Sequence, residues 1–404
     1  MNTSVTDPTA FGLDWLVHPV STTTFLESHW ETEPMLVQRD DPGYYRELPG
    51  LDAIDELITA TVPGRARTDD DGRLARTDPG GPLHNRRFRL HGNGIPDLQY
   101  IHRSYADGYS VVLNSLHMRS APIGRLCHAL EATLHHRVST NLYLTPRHNQ
   151  AFQPHADTHD VFILQLHGVK QWHVGKVMDR LPLHGRQYPA NESFARFRTH
   201  TLTPGDLLYL PRGFPHEAVT VSSSSLHLTV GIHVYGWLDL LASALRLFAE
   251  DDVRLRRALP PGFIGRTVDA EYAAELAEAF AAALRSGALA DTAAQQIATH
   301  LLATGKLGHR GRFAILDRIP ELKPDSVLIR DPAVLCRVRT AAEQSRIDFA
   351  GNFVAGPTTL APAFHFVAEH DRFRVADLPG DLTHDDRIEL AARLVAEGLL
   401  DIEE

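Results

Sequence analysis

The sequence predicts an α+β protein, with an antiparallel β-sandwich or barrel at its centre and helices on either side. Three observations carry this. From about residue 85 to 240, short β-rich runs alternate with Gly/Pro turns: FRLHG, YSVVLNS, NLYLTP, DVFILQLHG, QWHVGK, DLLYLP, EAVTV and SLHLTVGIHVY. Short strands punctuated in this way fold into an antiparallel sheet that closes on itself or on a partner sheet. After about 240 the texture becomes Ala/Leu-rich and helically periodic, as in LDLLASALRLFAE and EYAAELAEAFAAALRSG. Finally, 43% hydrophobic and 22% charged residues are ordinary globular proportions, so there is enough apolar side chain for a sizeable core.

The elements follow in order. Residues 1–60 read as mostly helical. Phe25, Leu26 and Trp30 sit near helical spacing, and LDAIDELITA forms an amphipathic helix behind Gly50. Residues 64–82, GRARTDDDGRLARTDPGGP, are charged and rich in Gly and Asp, and are expected to be an exposed loop. A substrate-facing role for that loop is the lesser alternative. Pro260-Pro261-Gly262 marks a boundary between helices, and AAQQIATHLLAT continues the helical pattern. Beyond 318, FHFVA and RFRVA are expected to pair as a hairpin around Glu369–Arg372. A helix then starts with Thr383 as N-cap and Asp386 at N3, with Ile388, Ala391, Ala392 and Val395 on one face. A hairpin beside a helix predicts a winged-helix-like unit. The expected domains are 1–240, 241–318 and 319–404.

Bulk properties narrow the function. A length of 404 residues suggests two or three domains. A net charge of -10 does not suit a general nucleic-acid or membrane binder, although a basic partner stays open. Cys127 and Cys336, the two cysteines, stand far apart, which excludes a disulfide framework and a CxxC zinc motif and fits a reducing cytoplasm. MNTSVTDPTAFGLDWLV lacks a basic segment followed by an apolar core, so no secretory signal is expected, and no long apolar run predicts a membrane span. The 24 histidines motivate a search for a metal or acid–base site.

Three pieces of the β-rich region converge. AFQPHADTHDVFILQL contains His155-x-Asp157, and residues two apart on a strand point to one face. TPGDLLYLPRGFPHEAV places His216 just beyond a strand and a Pro/Gly turn. Two histidines and a carboxylate make a facial triad that leaves open positions on an octahedral metal, as suits non-haem Fe(II). Lys170 follows Gly168 after the next strand. An inward lysine needs an anion, because a buried unpaired ammonium is costly. NLYLTP adds Asn141, Tyr143 and Thr145 on one face. Singly, each piece has a bland reading. HxD pairs occur by chance, Asp157-x-His159 is a rival pair, a lone lysine is usually solvated, and a strand tyrosine is usually core. Ligand type alone leaves Zn, Mn or Ni open.

Together, NLYLTPRHNQAFQPHADTHDVFILQLHGVKQWHV and PGDLLYLPRGFPHEA resemble the JmjC domain of the ribosomal oxygenases, which hydroxylate an arginine or a histidine of a ribosomal protein. The resemblance is strongest over about 90–235. FLESHWETEPMLVQR is similar to the segment that leads into that domain, and the layout after 240 resembles the family's helical dimerisation region and C-terminal winged helix. It implies a cupin-type double-stranded β-helix. It further implies that His155, Asp157 and His216 hold Fe(II) and that Lys170 binds the far carboxylate of the cosubstrate 2-oxoglutarate. Asn141 and Thr229 would then lie at the cosubstrate's other end, with Tyr143 close by, and O2 as the oxidant. No residue is needed as general acid or base.

The expected activity is therefore hydroxylation of a protein side chain, in a cytoplasmic homodimer, with no direct nucleic-acid partner. The alternatives are the same chemistry on a peptide natural product, a carrier-bound amino acid or a small metabolite. From another class come a non-enzymatic metal-binding cupin and a winged-helix regulator. The last is disfavoured by DDRIELAARLVAEG, which has four acids against two arginines where a DNA-reading helix would be basic.

Overall fold

The structure is a computed structural model describing residues 11–60, 71–78, 80–177, 179–183, 196–265, 267–305 and 311–403. The chain divides into two compact units, one running to His233 and the other holding most of the chain from Val234 on.

The first unit begins with helices α1 (Leu13–Val17) and α2 (Thr22–Ser28), strand β1 (Met35–Val37) and helix α3 (Ile54–Thr59). Strands β2 (Gly72–Thr77) and β3 (Leu83–Arg87) precede helix α4 (Leu98–Ala106), strand β4 (Ser110–Leu113) and helix α5 (Ala121–Leu134). The remaining strands are β5 (Arg137–Thr145), β6 (Asp160–His167), β7 (Lys170–Gly175), β8 (Phe197–Leu202), β9 (Leu207–Leu210), β10 (His216–Thr220) and β11 (Ser225–His233). An eight-stranded sheet runs β1-β9-β6-β11-β5-β4-β2-β3, and a three-stranded sheet runs β10-β7-β8. Every pairing within the two is antiparallel.

The alternation of side chains builds both faces. Val161, Ile163, Leu208 and Leu210 of the large sheet pack on Trp172, Val174 and Leu202 of the small one, closing the inside at one end. The other face of β11, made of Leu226, Leu228, Val230 and Ile232, is fully buried. Each such side chain stabilises the fold by about 1.5–3 kcal/mol relative to exposure. The predicted Phe25 anchors α2 on this outer side, with its ring 4.9 Å from Tyr209 and 5.4 Å from Phe162.

Two sequence expectations are corrected in the first unit. Residues 64–82 are not a loop throughout. The stretch 61–70 lies outside the described residues, but Gly72–Thr77 is a strand paired with both β3 and β4. Leu74 and Ala75 are fully buried there, while the flanking arginines lie along aromatic rings, Arg73 on Phe152 and Arg76 on Tyr109. FRLHG makes only a single bridge, Leu90 to Pro96.

The second unit holds helices α6 (Trp237–Asp251), α7 (Ala270–Arg285), α8 (Ala288–Thr304) and α9 (Arg312–Asp317). Strands β12 (Val327–Ile329), β13 (Cys336–Thr340), β14 (Gln344–Phe349) and β15 (Asn352–Pro357) lead to helix α10 (Ala361–Glu369). Strand β16 (Arg372–Arg374), helix α11 (His384–Ala396) and strand β17 (Asp401–Ile402) complete it. FHFVA is thus not a hairpin strand. It belongs to α10, started by a proline in its first turn, with Ala363, Phe364 and Val367 buried at helical spacing. The expected cap of α11 is present, Thr383 and Asp386 forming a reciprocal capping box. Among the described residues, no helix is long and apolar enough to cross a membrane.

Candidate metal and cosubstrate site

His155 precedes β6 and His216 opens β10, and the two exchange backbone hydrogen bonds. The His155 N–H donates to His216 O at 3.1 Å, and the His216 N–H donates to His155 O at 2.8 Å. This bridge sets the rings 4.6 Å apart before any ion is considered. Each Nδ1 faces a carbonyl, Gln153 O at 2.9 Å for His155 and Phe214 O at 3.0 Å for His216. A carbonyl only accepts, so Nδ1 carries the proton and Nε2 keeps its lone pair for a metal.

Asp157 completes the group. Its oxygens lie 3.9 Å from His155 Nε2 and 3.6 Å from His216 Nε2. One ligand atom from each of the three lies within 4.8 Å of the others, the separation a single ion bridges. The peptide of Asp157 is held by the Gly213 N–H, which donates to its carbonyl at 2.9 Å. Gly213 has a φ of 86°, a left-handed conformation suited to glycine, and a Cβ there would stand 2.0 Å from Asp179 O. Burial works to raise the Asp157 pKa, but His216, His155, His159 and His233 together bring it below the usual value. Burial pushes His216 down to about 4, with His155 adding to the effect, so its imidazole is neutral at pH 7 and able to ligate.

His159, the rival partner of Asp157, is not among the converging atoms. Its ring stacks on His233 at 4.9 Å and lies over Gly231, whose missing side chain makes room for it.

Lys170 opens β7 and is 2% exposed. Its Nζ lies 3.1 Å from Thr145 Oγ1 and 3.4 Å from His227 Nδ1. Among the described residues no carboxylate meets it, and burial lowers its pKa to about 7. A buried ammonium with only neutral partners is a ready receptor for a carboxylate. The turn before it is tight: Gly168 has a φ of 67°, and a Cβ there would fall 1.8 Å from Ser224 O.

The remaining predicted residues lie on the same inner face in register. Asn141 stands opposite Thr229, and Tyr143 opposite His227. Asn141 Oδ1 accepts from the Ser115 N–H at 3.2 Å. The Tyr143 hydroxyl is pushed up to about 12 by burial and by Asp157, so it stays a proton donor. Sequence reasoning missed His227. It is buried, stacked flat on Tyr143 at 4.8 Å and edge-on to Trp172 at 5.2 Å. Its signal was its position two residues before Thr229 on one strand. Burial, with Lys170 beside it, keeps this imidazole far below its ordinary pKa and hence neutral.

The chain is similar to several known proteins. Residues 113–240 match the JmjC domain family. The chain is 29% identical over 263 residues to the bifunctional lysine-specific demethylase and histidyl-hydroxylase NO66 of Drosophila melanogaster, covering 61% of this chain and 38% of the fly protein. It is 31% identical over 273 residues to ribosomal oxygenase 1 of Gallus gallus, covering 62% and 42%. The chain thus spans about two fifths of the length of these relatives. Among solved structures it is similar in fold to the Escherichia coli ribosomal oxygenase YcfD, with a TM-score of 0.56 and 18% identity, covering 95% of this chain and 98% of that one. A structure of YcfD with cobalt and 2-oxoglutarate superposes with a TM-score of 0.55, also at 18% identity, covering 96% and 99%.

Proposed function

We propose, for a chain that carries a JmjC domain over residues 113–240, that it is an Fe(II)- and 2-oxoglutarate-dependent oxygenase hydroxylating a side chain of a protein, with a ribosomal protein as the substrate class. The observation that carries this is the juxtaposition of His155, Asp157 and His216 with Lys170, a buried cation that has no carboxylate among the described residues.

His155, Asp157 and His216 would hold Fe(II), and three ligands on one side leave the other positions for exchangeable groups. Lys170 would take the far carboxylate of 2-oxoglutarate, oriented by Thr145 and His227. Asn141, Tyr143 and Thr229 would face its other end from the inner surface of β5 and β11. When bound, iron, 2-oxoglutarate and O2 supply the oxidation of an unactivated C–H bond to an alcohol, with succinate and CO2 as co-products. The protein's part is to fix geometry and exclude competing reactions, so no side chain is assigned as acid or base. Two YcfD structures are complexes with cobalt, one with 2-oxoglutarate and one with succinic acid, which supports a metal and 2-oxoglutarate as the ligand pair.

The second unit is proposed to dimerise through α6, whose Trp237, Leu238, Leu241 and Leu245 are exposed along the helix. The terminal β-strands and α11 are proposed as a winged-helix-like support in a cytoplasmic homodimer.

The deciding experiment is a visible spectrum under anaerobic conditions. Iron-loaded protein should develop a weak charge-transfer band on addition of 2-oxoglutarate, and His216→Ala should not. An iron-loaded wild type without the band would remove the cosubstrate from the proposal.

A further inference from the structure

We propose that Arg73 reads the substrate, selecting an acidic residue of the acceptor polypeptide beside the carbon to be hydroxylated and rejecting a basic one. This deepens the oxygenase reading and rests on it.

Position is the first observation. Arg73 pairs with Val112, Val112 with Tyr143, and Tyr143 with His227. Directly opposed residues on paired strands share a face. Arg73 therefore lies on the same inner surface as the cosubstrate residues, two strands or roughly 10 Å from Tyr143. Its guanidinium sits 5.1 Å over the ring of Phe152. That ring stands edge-on to Tyr143 at 5.9 Å and to the proposed metal ligand His155 at 6.1 Å. One aromatic ring thus separates the cation from the reacting centre.

The missing counter-ion is the second observation. Arg73 Nε is buried without a hydrogen-bond partner, and among the described residues no carboxylate pairs with this guanidinium. Arg76 Nε and Arg119 Nη1 also lack a hydrogen-bond partner, but each of those side chains has an oxygen beside its charge: Arg76 meets Asp78 at 3.3 Å, and Arg119 Nη2 donates to the carbonyls of Asp71 and Asn114. A guanidinium cannot shed its proton, so a partly buried one without an anion leaves a fixed positive potential in the wall of the site. The hydroxyl of Tyr143 feels it, since Arg73 works to lower the tyrosine's pKa. Lys170 is already assigned to the cosubstrate's carboxylate, and Arg73 is the cation assigned to the acceptor. The same charge repels a target arginine, which favours an uncharged target side chain such as neutral histidine with an acidic neighbour.

The test uses full-length protein loaded with Mn(II) and the inert cosubstrate analogue N-oxalylglycine. Two fluorescent peptides, Gly-Glu-His-Glu-Gly and Gly-Lys-His-Lys-Gly, are titrated by anisotropy. Wild type should prefer the acidic peptide roughly tenfold or more, as for one charge-assisted hydrogen bond. Arg73→Met should erase the preference, and Arg73→Lys should keep part of it as a point charge without the planar fork. Thermal unfolding and Mn(II) binding establish that both variants are folded. Equal affinity for the two peptides, no binding of the acidic one by wild type, or a preference that survives Arg73→Met would overturn the proposal. Competition by N-acetylglutamate at the peptide's own concentration would assign the site to free acids and overturn the polypeptide half. Failure of N-oxalylglycine itself to bind, read separately by ligand-observed NMR, would sink the oxygenase reading instead.

Discussion

Arg212 Nη1 lies 2.6 Å from Asp160 Oδ2, and the backbone N–H of the same arginine donates to Asp160 Oδ1 at 3.0 Å. Asp160 opens β6 soon after Asp157, and Arg212 immediately precedes Gly213, which holds the Asp157 carbonyl. The second guanidinium nitrogen reaches Glu31 at 2.5 Å. One half-buried arginine thus ties the N-terminal flank to both strand ends that frame the triad.

Arg212→Ala leaves the fully buried Asp160 carboxylate without its cation, and breaking such a pair costs about 3–5 kcal/mol. Burial already raises the Asp160 pKa, and the variant raises it further. Folded protein then holds a proton that unfolded protein has lost, so the variant's deficit shrinks as pH falls. Urea unfolding at pH 7 and pH 5 measures it. Adding Asp160→Asn should recover part of the loss at pH 7, and a double variant no more stable than Arg212→Ala would refute the pairing argument.

Lys170 carries a pH prediction. Its ammonium is needed for a carboxylate, yet burial brings its pKa to about 7. Cosubstrate affinity should fall as pH rises above about 7, and binding at pH 8 should take up a proton, seen by calorimetry in buffers of different ionisation enthalpy. Between pH 7 and 10.5 the unfolded lysine binds more protons than the folded one, so cosubstrate-free protein should gain stability with pH across that window. Lys170→Ala should lose both dependences and weaken 2-oxoglutarate on the order of 100-fold, as a lost charged hydrogen bond implies. His227→Phe keeps the stack on Tyr143 but removes the Nδ1 acceptor, and should weaken the cosubstrate several-fold with metal affinity unchanged.

Gly213→Ala and His216→Ala should separate fold from ligation. The alanine at 213 meets Asp179 O and a left-handed backbone that costs about 1–2 kcal/mol by itself. Melting temperature and metal affinity should drop together. His216→Ala keeps the peptide bridge to His155, so it should lose metal affinity on the order of 100-fold or more, beyond the effect of a removed supporting partner, with little change in melting temperature. Parallel melting and Mn(II) titrations of both variants decide it.

Much of this site was legible in the sequence because strand alternation is a strict rule. Asn141, Tyr143 and Thr145 share a face by period alone, and Lys170 stands out as a cation after a glycine turn. The spatial neighbours were less visible. His227 lies in an apolar strand and acquires meaning only through its register with Tyr143. Asp160 and Arg212 acquire their partnership only when β6 and β9 pair. Gly72–Thr77 was hidden because its arginines stack on aromatics from other elements, so the segment looks polar while its backbone is buried. FHFVA has a strand's alternation, and the core cluster that Phe364 and Val367 join includes Leu394 and Val395 of α11, which the local pattern does not include.

The reciprocal backbone hydrogen bonds between positions 155 and 216 use no side-chain atom. The spacing of the two histidines is therefore a property of the chain trace, independent of the imidazoles themselves. A single nucleotide change at either codon can silence the chemistry and leave a folded protein with its inner surface and second unit in place. Such a descendant would retain the proposed acceptor surface while leaving an acceptor unmodified, so in this architecture a silent competitor lies one substitution away from the proposed oxygenase.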